Sequence, residues 1–263
     1  MPPVPPSTQT HSDRPLEGVT PAQPLVILVP PSKTMAPGGG LLSELESPTR
    51  VLGPYRERLA ARLDHTLKAT PHLGARIFES KGALLERYLA LRGLPPSYLP
   101  AHARYQGVLW RALDPATLPK TLLPQLFIPS PYYGISCATD EIVDYRLSLS
   151  SPLNPTPLGY WPEILAQHLS PLVGAATVVN LLPNSHRPLV APLTSKAPHL
   201  IDVTLDADQP RGSLGHEAKH VKGLLARWIL ERGPTSISEF HYENWNVFSL
   251  GKDSFVLYNH AKK

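Results

Sequence analysis

One cysteine, Cys137, stands among 263 residues. Without a second thiol the chain can neither close an internal disulfide nor build a cysteine-rich metal site, and such usage fits a reducing compartment. Long apolar runs are missing too: none approaches the roughly 18 residues that a membrane-crossing helix needs. No membrane partner is expected. The opening MPPVPPSTQTHSDRP has neither the basic nor the apolar segment of a secretory leader, so a cytoplasmic location is the expectation. Charged residues make up 17% and aromatics 7% of the chain, against 42% hydrophobic, a balance that suits a globular chain with a sizeable core. The cation excess is slight, a formal +4, which permits a phosphate-bearing partner without requiring one.

Proline, by contrast, is abundant at 32 residues. Residues 1–23 combine it with Ser, Thr and Gln and hold few large apolar side chains, so they read as a tail that cannot repay its own ordering. Residues 24–263 remain as one domain. LVILV at 25–29 reads as a strand buried on both faces, and the turn-rich PPSKTMAPGGG follows at its carboxyl end, where α/β proteins favour ligands. Leucine spacing predicts helices over 54–68 and 81–91. Further strands are expected at 126–129, 177–182, 189–193, 200–205 and 255–258, with a short helix over 162–169 that has proline in its first turn. The longest helix is expected over 217–232, stopped by Gly233-Pro234. Interspersed helices and strands without a repeat give a mixed α/β (α+β) class.

That last helix, EAKHVKGLLARWILERG, places Lys219, His220 and Lys222 in its first turns, where the macrodipole disfavours cations. An anion facing them would explain the placement. HEAKH at 216–220 also matches the HExxH pattern, but Lys219 and Lys222 would crowd a dication, so no metal is expected. Ser32, Lys33 and Thr34 sit beside a glycine run, yet the glycines follow the lysine, which excludes a P-loop. PYYGISCATDEIVDYRL at 131–147 brings Tyr133, Gly134, Asp140, Tyr145 and Arg146 close in sequence. An arginine there can grip a phosphate or simply pair with an aspartate. ARYQGVLWRALDPATLP at 103–119 carries Tyr105 and Gly107 ahead of an apolar face that reads as core.

In order along the chain, LVILVPPSKTM, RYQGVLWRAL, PYYGISCATDEIVDYRL, the tryptophan of GYWPEIL, VVNLL and AKHVKGLLARWIL resemble the YaaA family of peroxide stress proteins. The resemblance runs from about residue 25 to the end. It implies one mixed α/β domain with a positively charged cleft, a helix-hairpin-helix-like element associated with DNA binding, and a role in protection against hydrogen peroxide. Positions that match the family pattern are Ser32, Lys33, Thr34, Tyr105, Gly107, Tyr133, Gly134, Asp140, Tyr145, Arg146, Trp161, Asn180, Lys219, Lys222 as a basic equivalent of arginine, and Gly223. The chain departs from the pattern at Cys137-Ala138, where the family has Arg-Pro, and after Asn180, where Pro183, Asn184, Ser185 and His186 replace a Ser-x-Glu-Tyr pattern. A specialised relative is the implication.

Two partners remain open, nucleic acid or a phosphorylated small molecule, with no cofactor. For either ligand the binding residues are expected to be Ser32, Lys33, Thr34, Tyr105, Gly107, Tyr133, Gly134, Arg146, Trp161, Lys219 and Lys222. If the protein is an enzyme, Lys33, Tyr133, Asp140, Arg146 and Lys219 are the expected catalytic groups, because they mix anion grip with acid–base character.

Overall fold

The computed structural model describes residues 24–43, 46–205 and 214–259. The expected tail, 1–23, lies outside the described residues. The fold is organised by β1, Leu25–Leu28, whose alternate side chains enter two cores: Ile27 and Val29 go to one face, Val26 and Leu28 to the other. All four are at most 2% exposed, as expected of a strand covered by helices on both sides.

After β1 the chain builds helices α1 (Gly53–Ala69), α2 (Gly74–Ile77) and α3 (Gly82–Leu91), a short strand β2 (Tyr98–Pro100), and helices α4 (Ala101–Arg104) and α5 (Val108–Leu113). Strands β3 (Leu126–Ser130), β4 (Gly134–Cys137) and β5 (Glu141–Val143) follow. Then come α6 (Pro157–Gly174), β6 (Thr177–Asn180), α7 (Arg187–Thr194), β7 (His199–Leu205) and α8 (Leu214–Arg232). The chain continues through β8 (His241–Tyr242), β9 (Trp245–Gly251) and β10 (Ser254–Asn259). Eight strands form one mixed sheet in the order β4-β3-β1-β6-β7-β10-β9-β8, and β2 pairs with β5 separately. From β3 to β10 the neighbours run parallel; β4 and β9 are antiparallel to theirs. Leucines of α1, α6 and α7 fill one core, while α5 and α8 cover the other. The mixed α/β class is therefore the observed one.

Two local expectations need correction. Residues 189–193, expected as a strand, lie in α7, because Leu189, Val190 and Leu193 bury one helical face rather than alternating. Pro188 opens that helix without cost, since the first turn has no bond for its missing N–H to lose. The proline at the first turn of α6 is Pro157, and Pro162 lies inside the helix.

The connectivity singles out one edge. From β1 the chain travels to β3 on one side, and from β6, the next strand over, it travels to β7 on the other. Such a reversal between adjacent parallel strands opens the space beyond their carboxyl ends, the place where sheets of this kind hold ligands.

Candidate functional site

The loop leaving β1 is pinned before it reaches its lysine. Val29 N donates to Phe127 O at 3.0 Å, and the hydroxyl of Ser32 accepts from Thr34 N at 3.0 Å. Gly107 lies against that hydroxyl: a Cβ there would fall 2.4 Å from Ser32 Oγ, so a side chain at 107 would displace the loop. Lys33 then extends into solvent, and its Nζ donates to Glu79 Oε2 at 3.1 Å.

Glu79 belongs to the four-residue connection between α2 and α3. Phe78 N returns to Gly74 O and Ser80 N to Ala75 O, closing a tight hairpin in which Glu79 adopts φ +45° and Gly82 φ +54°. Its carboxylate draws two hydrogen-bond donors and one further cation from two distant stretches. Ser148 donates to Oε1, Lys33 to Oε2, and Arg146 Nη2 stands 3.8 Å from Oε2 while its Nε is held by Phe78 O at 2.8 Å. The Ser148 hydroxyl foremost, then the Lys33 ammonium, holds the carboxyl below its usual range. Beside it, exposed Arg76 and Lys81 line a surface concavity of about 560 Å³ together with Ser80, Ser150 and Pro152.

A second group of cations lies beyond the end of β6. Asn180 is buried; its side-chain oxygen accepts from Leu182 N, and its amide donates to Asp202 Oδ1 at 2.8 Å. The same oxygen takes Arg187 Nη1 at 2.5 Å, and Arg187 Nη2 reaches Val203 O. Lys222, from α8, is 6% exposed and donates to Leu181 O at 3.0 Å. Burial, with Arg187 adding, pushes its ammonium down to about 7. His186 is pushed down to about 4 by burial and by the charge of Lys33, which ties this group electrically to the hairpin. Lys219 is exposed on α8, one turn before Lys222.

The tyrosines converge elsewhere, inside the protein. Tyr105 and Tyr145 join hydroxyls at 2.9 Å, Tyr132 stacks on Tyr145 at 5.0 Å, and the Tyr133 hydroxyl accepts from Val143 N. Burial raises Tyr105 and Tyr133 well above the phenol range and pushes Tyr145 up to about 12. None of the three ionises near neutrality. Asp140 is occupied by the hydroxyls of Ser47 and Thr49 and by Cys137 N, so its carboxylate ties loops together. Trp161 is fully buried, donates to Pro131 O at 2.9 Å and lies flat over Gly134, whose φ is +71°. A Cβ at Gly134 would fall 2.6 Å from the indole. Tyr133 and Asp140 thus meet beside half-buried Arg56, which donates to Tyr133 O and to Thr49, and of the sequence neighbours Tyr133, Asp140 and Arg146 it is Arg146 that reaches Glu79 at the hairpin.

On α8, Glu217 Oε1 accepts from Trp245 Nε1 and Asn259 Nδ2, and His220 stacks with Tyr242. Among the described residues no three His, Cys, Asp or Glu side chains cluster as metal ligands, and no helix is long and apolar enough to cross a membrane.

Residues 25–253 match the family described as peroxide stress protein YaaA. The chain belongs to this family. It is 34% identical over 215 residues to a UPF0246 protein of Corynebacterium glutamicum, covering 77% of this chain and 84% of that one. A UPF0246 protein of Corynebacterium efficiens is 33% identical over 219 residues, 80% of this chain and 86% of the relative. Another, from Lactobacillus delbrueckii subsp. bulgaricus, is 28% identical over 219 residues, 79% and 86% of the two chains.

Several polar groups of this YaaA-family chain escape sequence reasoning. Glu79, Arg76 and Lys81 lie in FESKG and its approach, where a four-residue turn leaves no period to detect. His186 and Arg187 carried a usable signal: Pro188 marks a helix start just past β6, and read that way it places both residues at the strand's carboxyl edge.

Proposed function

We propose that this YaaA-family protein binds nucleic acid through its phosphate backbone, at the hairpin between α2 and α3, in the hydrogen peroxide stress response for which its family is named. The observation that carries the reading is the gathering of Lys33, Arg146, Arg76 and Lys81 about one tight turn. Glu79 acts as the chain's own anion there, drawing Lys33 from one segment and Arg146 with Ser148 from another, so the spot is already organised around negative charge. Arg76 and Lys81 are exposed beside it and can meet successive phosphates. Ser150, exposed beside the turn, adds a hydroxyl to the same concavity.

Such contacts fix position without reading sequence, so affinity should vary little between duplexes. The test is fluorescence anisotropy of a labelled duplex with the wild type and with the Arg76→Gln/Lys81→Gln double variant. About tenfold or greater weakening with unchanged melting temperature is expected; equal affinity in a folded double variant would remove the hairpin from the interface. A small phosphorylated ligand is favoured by a different observation, the burial of Lys222 beside Arg187.

A further inference from the structure

At the carboxyl edge of β6 two cations lie together, and the one carboxylate paired there, that of Asp202, is taken by Arg187. Lys222 Nζ has three N–H groups and spends one, on Leu181 O. Arg187 spends Nη1 on Asp202 and Nη2 on Val203 O, and its Nε is buried with no acceptor among the described residues. Asp202 Oδ1 also receives the Asn180 amide, so little of its charge is left for Lys222. α7 begins at Arg187 with no side-chain cap, which turns a partly positive helix end toward the same edge. An ammonium buried beside a guanidinium, with no counter-charge of its own among the described residues, is unfavourable, and the folded protein meets that cost by loosening the Lys222 proton. An added anion with several acceptor oxygens would answer the surplus N–H groups and the surplus charge together.

We infer that the carboxyl edge of β6, between Lys222 and Arg187, binds a phosphate monoester group, carried by a small nucleotide-like molecule or by the phosphorylated end of a nucleic-acid strand. This site is distinct from the hairpin and does not depend on duplex binding there. Binding restores the ammonium form of Lys222 with a proton taken from solvent. The charged group that bears on Lys222 is Arg187 at the start of α7; Asp202 from β7 pairs with Arg187, and Lys219, one turn earlier on α8, is exposed. Phosphate is already a dianion above about pH 7, so the loss of the Lys222 proton makes affinity fall as pH rises from 7 to 8.5.

Isothermal titration calorimetry with inorganic phosphate and adenosine monophosphate, in phosphate-free buffer, tests the site in the full chain. Wild type should bind both, Lys222→Met and Arg187→Gln about tenfold or more weakly, and Lys252→Gln, in the exposed turn before β10, as wild type does. Because Lys222→Met can disturb packing, Arg187→Gln and the pH dependence of wild type serve as independent readouts. Single strands with a 5′-phosphate or a 5′-hydroxyl separate the two sources. A phosphate-dependent gain beyond the mononucleotide assigns the strand end, and equal affinity of mononucleotide and phosphorylated strand assigns the small molecule. No heat with any phosphate, or unchanged binding in folded Arg187→Gln with no pH dependence, would overturn the inference. Loss of duplex binding with phosphate binding kept would sink the hairpin reading alone.

Discussion

Two regions of the molecule hold the same residue types and use them in opposite ways. Behind β3 and β4, arginine, aspartate and tyrosine are spent on the protein itself. Arg104, fully buried, gives its guanidinium to the carbonyls of Ala36, Gly38, Ser97 and Ile142, and Asp140 and the tyrosines are equally engaged. Around the hairpin and the end of β6, cations outnumber their partners among the described residues: Arg76 and Lys81 stand exposed, Lys33 and Arg146 share Glu79, and Lys222 has no carboxylate there. A polar side chain near a strand end therefore says little until its partners are counted. What marks a binding region is donor capacity left over.

The comparison breaks most visibly at Arg104. Arg104→Leu should leave four buried or half-buried carbonyls without their donor and cost about 3–5 kcal/mol in denaturant unfolding. Duplex affinity of any folded fraction should not change; a change would mean that the inner region also serves binding. Next comes Gly134→Ala, where positive φ and the Trp161 indole act together. About 2–4 kcal/mol of destabilisation is expected, and a neutral result would show that the turn after β3 can move.

Lys222 sharpens the contrast through pH. Its folded ammonium titrates near 7 against an ordinary 10.5. Within that window the unfolded chain binds the extra proton, so the wild type gains stability as pH rises from about 7 toward 10.5 and gives it up again as pH falls back toward 7, below which the group contributes no further change. Lys222→Met lacks this dependence, and the stability difference between the two proteins should shift toward wild type by about 2 kcal/mol from pH 7 to 9. Parallel melting profiles would deny the buried charge. Smallest is Tyr145→Phe, which removes one hydroxyl from the Tyr105 pair and should cost about 1–2 kcal/mol with no effect on binding.

The sheet was readable in the sequence where strands are buried on both faces, since LVILV and VVNLL admit no other packing. The short strands β4, β5 and β8, and β9 inside the sheet beside β8, were not, because segments that mix glycine and polar residues owe their pairing to the neighbour rather than to their own pattern. Residues 189–193 failed for a related reason: five residues of apolar character fit either period, and the helix is chosen by the face that α6 leaves to be covered. The same limit governs the site. Lys33 and Arg146 were identifiable as cations, but that they meet at Glu79 depends on the hairpin, a contact 46 residues away in the chain for Lys33.

The salt dependence of duplex binding addresses the central claim most directly. Plotted as log affinity against log salt, wild type should give a steep negative slope, to which each phosphate contact adds about 0.9. The Arg76→Gln/Lys81→Gln variant should flatten that slope by about two contacts, and Tyr145→Phe should leave it unchanged. A wild-type slope near zero, or one that Tyr145→Phe alters and the double variant does not, would contradict the account.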